Sequence, residues 1–166
     1  CSHRGQLYCG LHGVAGASSG KIVRISPGAD TTWTTDVTGL QGYPLSLCVY
    51  NGDLYAGLQG DDTETALVVR RSAATGAWTT SDTGPGSTSG IKYYSNLIVQ
   101  GTNLFAVFHH TVSDVLLVRK FDGSSWTSDL DVSTLSPSGS PDLGATYPGN
   151  SVLFNGDLYI AVQADG

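Results

Sequence analysis

The sequence predicts an all-β protein built from a repeated four-stranded unit. Two apolar, β-prone runs flank Asn51-Gly52, a dipeptide that tolerates the positive φ angles of a type I′ turn, and this pattern predicts a hairpin over residues 46–60. The second half of that hairpin occurs four times along the chain, with successive spacings of 47, 50 and 54 residues. Internal repeats of about 40 to 50 residues with β-type patterning indicate an array of similar sheets. The four copies align on Leu7, Leu54, Leu104 and Leu158.

Each of the first three hairpins is followed by a predicted third strand and by an outer strand that carries tryptophan. Val, Ile, Thr and Trp are enriched in these segments, and all four residue types favour strands. The third strands are predicted at 21–25, 66–70 and 115–119, and the outer strands at 31–35, 78–80 and 126–128. All three tryptophans share one position in the unit, namely Trp33, Trp78 and Trp126. The chain is therefore a single repeat domain or part of one, with units 1–47, 48–97 and 98–151 and a partial unit at 152–166.

The recurring Leu-Tyr-Ala-Gly, Val-Arg and Asp-Gly-x-x-Trp segments resemble the repeats of secreted and surface β-propeller proteins. The resemblance covers essentially the whole chain and implies blades of four antiparallel strands, with about three and a third blades in this sequence. Alternating positions such as Leu54 and Tyr55 are apolar on both faces of a strand, as a blade packed between two neighbours requires. The implied location is extracellular or at the cell surface.

The ends of the sequence create a problem for a propeller, because propellers typically have about four to eight blades. An uncovered strand leaves its backbone donors and acceptors without partners along one edge. We therefore expect residues 1–10 and 151–166 to pair with strands outside this sequence. Those strands would come from further chain or from neighbouring copies through self-association.

Composition argues against two classes of partner. The formal net charge is −6, and only 13% of the 166 residues are charged, so no basic stripe is present to neutralise phosphates. Nucleic acid is therefore not an expected partner. No run of about 18 apolar residues is present, so the sequence predicts no membrane span.

Three cysteines leave the disulfide question open. A three-residue turn at residues 4–6 would set Cys1 opposite Cys9, at a separation that a disulfide can span. A two-residue turn would direct these two side chains to opposite faces. Cys48 occupies in the second unit the place that Cys1 holds in the first.

Tyrosines and polar residues recur together at one end of the predicted hairpins. Each tyrosine lies five residues before the aligned inner-strand position, and each Gln or His lies at the end of a second strand. An aromatic ring beside an amide or imidazole can stack on a ligand and hydrogen-bond to it, which suits a glycan or another surface polymer. Packing at a blade entrance is the alternative role for the tyrosines. The candidate ligand-binding residues are Tyr43, Tyr93, Tyr147, His12, Gln59, His109 and Gln163.

Arg24, Arg70 and Arg119 align at one site per unit in the sequence. Three guanidinium groups converging on a carboxylate would be similar to the arginines of sialidases, but those come from non-equivalent positions. We expect structural arginines instead, with stems packed on the adjacent tryptophan and heads bonded to turn carbonyls.

Other candidate chemistry is weak. Asp61, Asp62 and Glu64 predict a solvated acidic loop rather than a catalytic pair, and their spacing matches no established Ca²⁺ loop. His109-His110 lacks a third ligand at zinc-site spacing. The sequence therefore predicts no catalytic residue, metal or cofactor.

The expected function is that of a non-enzymatic extracellular binding module for a glycan or another surface polymer. Two alternatives remain. The first is a structural subunit of an extracellular filament or assembly, which would use its unpaired terminal strands. The second is a propeller glycoside hydrolase.

Overall fold

The computed structural model describes residues 1–11, 20–40, 42–59, 68–82, 91–110, 115–131 and 147–163. Within these residues the chain forms β-strands and no helix. Consecutive strands of each sheet pair antiparallel, so every sheet is an up-and-down meander of neighbouring strands.

Four sheets follow one another along the chain. The first contains β1 (Ser2–His3), β2 (Gln6–Leu11), β3 (Gly20–Ile25) and β4 (Thr34–Leu40). The second contains β5 (Tyr43–Tyr50), β6 (Asp53–Gln59), β7 (Val68–Arg71) and β8 (Trp78–Asp82). The third contains β9 (Ile91–Gln100), β10 (Asn103–His110), β11 (Val115–Phe121) and β12 (Trp126–Asp131). The fourth contains β13 (Tyr147–Phe154) and β14 (Asp157–Gln163). The predicted all-β class and its four-stranded antiparallel unit are confirmed.

Some strand boundaries differ from the predicted ones. β4 begins at Thr34 rather than at residue 31, so Trp33 immediately precedes its strand. Trp78 and Trp126 are the first residues of β8 and β12, which places all three tryptophans at the same end of the outer strands. β7 and β11 extend past their predicted ends, because their ladders with β6 and β10 continue up to the next turn.

The hairpin turns have the predicted geometry. Asn51 and Gly52 adopt φ angles of 48° and 81°, which are those of a type I′ turn. Arg4-Gly5 and Asn155-Gly156 also have positive φ at both central residues. These two-residue turns fix the register of each hairpin, so equivalent residues in different sheets can be compared directly.

The two-residue turn at Arg4-Gly5 decides the cysteine question. The backbone N–H of Tyr8 donates to the carbonyl of Cys1 at 2.8 Å, so Cys1 lies opposite Tyr8 and not opposite Cys9. Cys1 and Cys9 therefore lie on opposite faces, and the alternative with a disulfide between them is wrong. All three cysteines are free. Burial raises the pKa of the Cys48 thiol to about 12.

The apolar core lies between the sheets, which pack face to face. Side chains alternate along each strand, so adjacent residues enter different core layers. The layer between the first and second sheets contains Tyr8, Ile22, Leu40, Leu54, Ala56, Leu58 and Val69. The layer between the second and third contains Tyr50, Tyr55, Val68, Leu97, Leu104, Ala106, Phe108 and Phe121. The layer between the third and fourth contains Phe105, Val107 and Val118, with Leu158 and Ile160 packed against them.

Close packing of the first two sheets depends on a glycine. A Cβ atom at Gly10 would lie 2.6 Å from the carbonyl oxygen of Pro44, closer than any real contact of this kind. β2 and β5 can therefore approach each other only because residue 10 has no side chain.

The hairpin tips are tied to one another by hydrogen bonds. The hydroxyl of Tyr50, the last residue of β5, donates to the carbonyl of Thr102 in the next hairpin turn at 2.6 Å. Gln100, which ends β9, donates through its side-chain amide to the carbonyl of Gly156 in the following turn. His3 ends β1 at the same position and is buried. The residue before each of these turns thus faces the next sheet.

The two end sheets leave apolar residues exposed that are buried elsewhere. Leu7 of the first sheet is 42% exposed, whereas its equivalents Leu54 and Leu104 are both 0% exposed. Tyr159 of the fourth sheet is 51% exposed, whereas its equivalent Tyr55 is 2% exposed. Within the described residues, these two end faces therefore lack the covering sheet that the interior faces have.

The contrast between Leu54 and Leu7 gives a test of the repeat alignment. Leu54→Ala should lower the free energy of unfolding by about 2–5 kcal/mol, because it leaves a cavity between two sheets. Leu7→Ala removes the same atoms from an exposed site and should change the free energy of unfolding by about 1 kcal/mol or less. Urea unfolding of dilute protein measures both. If both variants lost the same free energy of unfolding, Leu7 would be as well covered as Leu54, and the assignment of an exposed end face to the first sheet would be wrong.

Candidate functional site

Three tyrosines lie opposite Gln or His at the same end of successive hairpins. Tyr43 of β5 is the backbone partner of Gln59 in β6. The same pairing recurs in the third and fourth sheets, at the hairpin end far from the tight turn. The partners there are Tyr93 with His109 and Tyr147 with Gln163. We call these three pairs the tyrosine rungs.

A β-bulge follows each tyrosine rung. In the second sheet the register shifts between Pro44 and Ser46, so Leu45 is the extra residue and its side chain is exposed. In the third sheet the inner strand has extra residues at 92 and 95, on either side of Tyr93, and in the fourth sheet residues 149 and 150 lie opposite the single residue 161. Bulges redirect neighbouring side chains and are enriched beside functional sites. The tyrosine rungs are thereby set apart from the regular ladder that forms the core.

The structure describes both side chains of one tyrosine rung and the backbone pairing of the other two. The side chains of Tyr43 and Gln59 are both half-buried, which leaves part of each accessible. For the rungs of the third and fourth sheets, the backbone pairing is described. His12, the fourth predicted polar residue, lies outside the described residues. The rungs thus bring six of the seven predicted ligand-binding residues together in pairs.

The bulges were not predicted from the sequence, although a signal for two of them was present. Pro44 and Pro148 each follow the rung tyrosine directly. Proline cannot donate to a ladder and is found within sheets mainly at edges, strand starts and bulges. A Tyr-Pro pair at the beginning of an inner strand therefore indicates an interrupted register.

A buried carboxylate, Asp36, links the first sheet to the second. Its side chain is 5% exposed, and its oxygens lie 3.1 Å from Arg24 Nε and 2.8 Å from Arg71 Nε. The indole N–H of Trp78 donates to the same carboxylate at 2.7 Å. Arg71 and Trp78 lie opposite each other on β7 and β8 of the second sheet. Asp36 therefore holds the outer edge of one sheet against the next.

The contact between the second and third sheets repeats this arrangement with different residues. The indole N–H of Trp126 donates to Ser81 Oγ at 3.2 Å, and Ser81 occupies the β8 bulge as Asp36 occupies the β4 bulge. Phe121 holds the place of Arg71 and stacks on Trp126, with ring centroids 5.0 Å apart. An aromatic contact with a hydroxyl acceptor thus replaces the ion pair.

In the second contact the ion pair is shifted by one residue along the outer strand and by two residues along the third strand. Arg119 Nε lies 2.7 Å from Asp82 Oδ2, and both side chains are largely buried. Their places in the first contact are filled by Val69 and Val37, which pack together with the core. Because both charged partners are shifted together, neither is buried without its counter-ion.

The predicted alignment of Arg24, Arg70 and Arg119 is wrong in the third sheet. Arg24 and Arg70 are the next-to-last residues of their third strands, and the next-to-last residue of the equivalent strand in the third sheet is Lys120. Since side chains alternate, Arg119 lies on the opposite face of its sheet. The error arose because the turn leading to Trp126 is shorter than the other two.

The predicted binding of arginine heads to turn carbonyls is also wrong for these three residues. Each guanidinium is paired with a carboxylate, and for Arg70 that carboxylate is Asp53. Asp53 also accepts the backbone N–H of Ala73 at 2.6 Å. Burial alone would raise the pKa of Asp53, but the Ala73 N–H and the Arg70 guanidinium together hold it below its ordinary value. The arginines therefore belong to separate ion pairs and do not converge on a ligand.

A cleft of about 500 Å³ opens between the outer parts of the second and third sheets. Its wall includes Arg70, Ser81, Asp82 and Trp126. These polar groups already bind protein: Arg70 pairs with Asp53, Asp82 with Arg119, and Ser81 with Trp126. Because these charged, hydroxyl and indole groups are already bound within the protein, we do not assign the cleft a site.

The remaining predicted features lie partly outside the described residues. Asp61, Asp62 and Glu64 all fall in that category. Among the residues that the structure does describe, no three His, Cys, Asp or Glu side chains come together as a metal site. The described part of the chain also contains no helix with the length and apolarity needed to cross a membrane.

No protein-family model and no curated protein matches this chain. The tyrosine rungs and the contacts between sheets are therefore the observations from which its function is argued.

The inter-sheet carboxylate can be tested by exchanging one contact for the other. Asp36→Ala should lower the free energy of unfolding by about 3–5 kcal/mol, because it leaves Arg71 buried without a counter-ion. Asp36→Ser combined with Arg71→Phe reproduces the Ser81 and Phe121 arrangement. The double variant should be more stable than the sum of its single changes predicts, by about 1 kcal/mol. The coupling is measured by denaturant unfolding of the wild type, Asp36→Ser, Arg71→Phe and the double variant. Asp157→Ala, at an exposed site, is the control, and strict additivity would contradict the equivalence.

Acid should weaken the contact between the first two sheets through His3. Burial, together with the nearby Arg4 and Arg71 guanidinium groups, lowers the pKa of His3 below its ordinary value of 6.5, although Asp53 opposes this. The unfolded chain therefore takes up this proton first as pH falls below about 6.5, and the folded state loses stability. His3→Phe should reduce that loss. Urea midpoints at pH 7.5 and 5.5 measure it, and an equal loss in both proteins would contradict the assignment.

Proposed function

We propose that this chain is part of a β-propeller-type protein and that it acts as a non-enzymatic extracellular module that binds a glycan or another surface polymer. One observation carries the proposal: three successive sheets place a tyrosine opposite Gln or His at the same hairpin end. A packing residue needs no such partner. A repeated pair of ring and polar group is what a repeating ligand would use.

The chemistry of a rung suits a sugar. The face of a tyrosine ring offers an apolar surface on which a sugar ring can stack. A glutamine amide both donates and accepts hydrogen bonds, and a neutral imidazole does the same through its two nitrogens. Sugar rings present apolar C–H faces and hydroxyl groups that both donate and accept. Each rung can therefore hold one ring of a polymer with modest affinity.

The propeller arrangement supports this function because it would place the rungs side by side. Sheets packed face to face and connected in sequence present equivalent ends to the same side of the molecule. Several weak sites on one surface bind a repeating ligand more tightly than any one of them alone. The extracellular location follows from the repeat resemblance and from the nature of the proposed ligand.

Binding to a panel of immobilised glycans tests the proposal. Tyr43→Ala removes the described ring of the second sheet and should weaken binding about tenfold, a loss of about 1.4 kcal/mol. Gln59→Ala should also weaken binding, because its amide provides the hydrogen bonds of the same rung. Isothermal titration with the best glycan measures both variants.

Tyr43→Phe is the matched control, since it keeps the ring and removes only the hydroxyl. It should bind more tightly than Tyr43→Ala, and circular dichroism should show the same fold for all variants. If wild type and Tyr43→Ala bind every glycan equally, the rungs are not the site. Release of sugar from a bound glycan would favour the hydrolase instead.

A further inference from the structure

Two sheet faces at opposite ends of the described array are exposed and apolar. The leading face belongs to the first sheet and consists of Leu7, Ile25 and Trp33. The trailing face belongs to the fourth sheet and consists of Val152, Phe154 and Tyr159. Leu7, Trp33 and all three trailing residues are among the exposed large apolar side chains of the described residues.

The trailing face repeats an aromatic pair that is buried inside the molecule. The rings of Phe154 and Tyr159 lie 6.3 Å apart at an interplanar angle of 66°. The rings of Tyr50 and Tyr55 lie 5.8 Å apart at 71°, in the equivalent positions of the second sheet. The exposed pair therefore already has the edge-to-face geometry of the buried one.

The buried pair shows which side chains of a neighbouring sheet pack against two aromatic rings in this arrangement. Tyr50 and Tyr55 both contact Phe121 of the third sheet, with ring centroids 5.9 and 6.1 Å away. Leu104 lies in the same core layer, and Trp126 packs against it. A face with this aromatic pair is thus covered by a sheet that presents a leucine, a large apolar residue at the end of the third strand, and a tryptophan.

The leading face presents the same three residue types at the same positions. Leu7 aligns with Leu104, because each follows the turn of its hairpin and pairs with the end of the third strand. Ile25 is the partner of Leu7, as Phe121 is the partner of Leu104. Trp33 precedes β4 at the position that Trp126 holds in β12. The leading face therefore has the composition that a trailing face accepts.

We propose that the trailing face of one copy of this chain packs on the leading face of a second copy. In this contact the fourth sheet of one copy packs on the first sheet of the other in the way that the second sheet packs on the third within one chain. Since Leu7 and Tyr159 are exposed in the same chain, they do not cover each other within it. The two faces are different surfaces, so the contact is head-to-tail and can propagate through further copies. This self-association uses sheet faces, and it is independent of the tyrosine rungs.

Sedimentation velocity over a range of protein concentrations tests the proposal. The wild-type chain should form a concentration-dependent series of oligomers. Leu7→Arg places a charge on the leading face, and Tyr159→Arg places one on the trailing face. Each variant should raise the apparent dissociation constant at least about tenfold, because a charge buried without a partner opposes association. Ala74→Arg adds the same charge to an exposed turn and should associate as wild type does.

Mixing the two variants gives the decisive result. Leu7→Arg retains an intact trailing face and Tyr159→Arg an intact leading face, so their mixture should form a heterodimer and nothing larger. A wild-type chain that stays monomeric at every concentration would overturn the proposal. Oligomers that persist in Leu7→Arg would also overturn it, because association would then use a surface other than the leading face. Both faces are exposed in the single chain, so matching circular dichroism spectra are expected for all variants.

Discussion

Leu54 and Tyr55 are neighbours in β6, and they are buried in different core layers on opposite sides of the second sheet. A sheet with apolar side chains on both faces is stable in water only when two other surfaces cover it. This requirement governs the rest of the structure. It explains why the sheets follow one another in a stack, why Gly10 has no side chain where β2 approaches β5, and why the end faces remain unusually apolar.

In the part of the chain that the structure describes, the buried carboxylates Asp36, Asp53 and Asp82 each have a guanidinium partner on another strand or sheet. Asp36 meets Arg71 across the first contact, and Asp82 meets Arg119 across the second, where the pair is shifted by one residue on the outer strand and by two on the third strand. The different placement gives each contact its own pattern of charge. A sheet that packed against the wrong neighbour would bury at least one of these ions without its partner, at a cost of several kcal/mol. The ion pairs therefore specify the order of the sheets, whereas the apolar residues supply the driving force for packing.

The sequence was sufficient for the features that depend on local chemistry. The Asn51-Gly52 turn, the repeat of the hairpin and the common position of the tryptophans follow from turn propensity and from residue patterns within one unit. The pairing of Arg119 with Asp82 depends instead on a bulge in β8 and on the length of the turn before Trp126. Each extra or missing residue moves a side chain to the other face, so contacts between sheets could not be read from spacing alone. The rungs were predicted as residues but not as backbone pairs, because the bulge after Tyr43 alters the register.

Each sheet is made from one continuous segment of chain, and the large core layers lie between sheets that are consecutive in sequence. Stability in such a linear array is approximately the sum of the intrinsic stability of each unit and the coupling between nearest neighbours. Among the described residues, the fourth sheet has two strands and one covered face, whereas each of the other sheets has four strands. Unfolding should therefore begin there and proceed towards the middle, and amide protons of β14 should exchange with solvent earlier than those of β6. The molecule would then respond to stress by fraying from one end, with its interior sheets still intact.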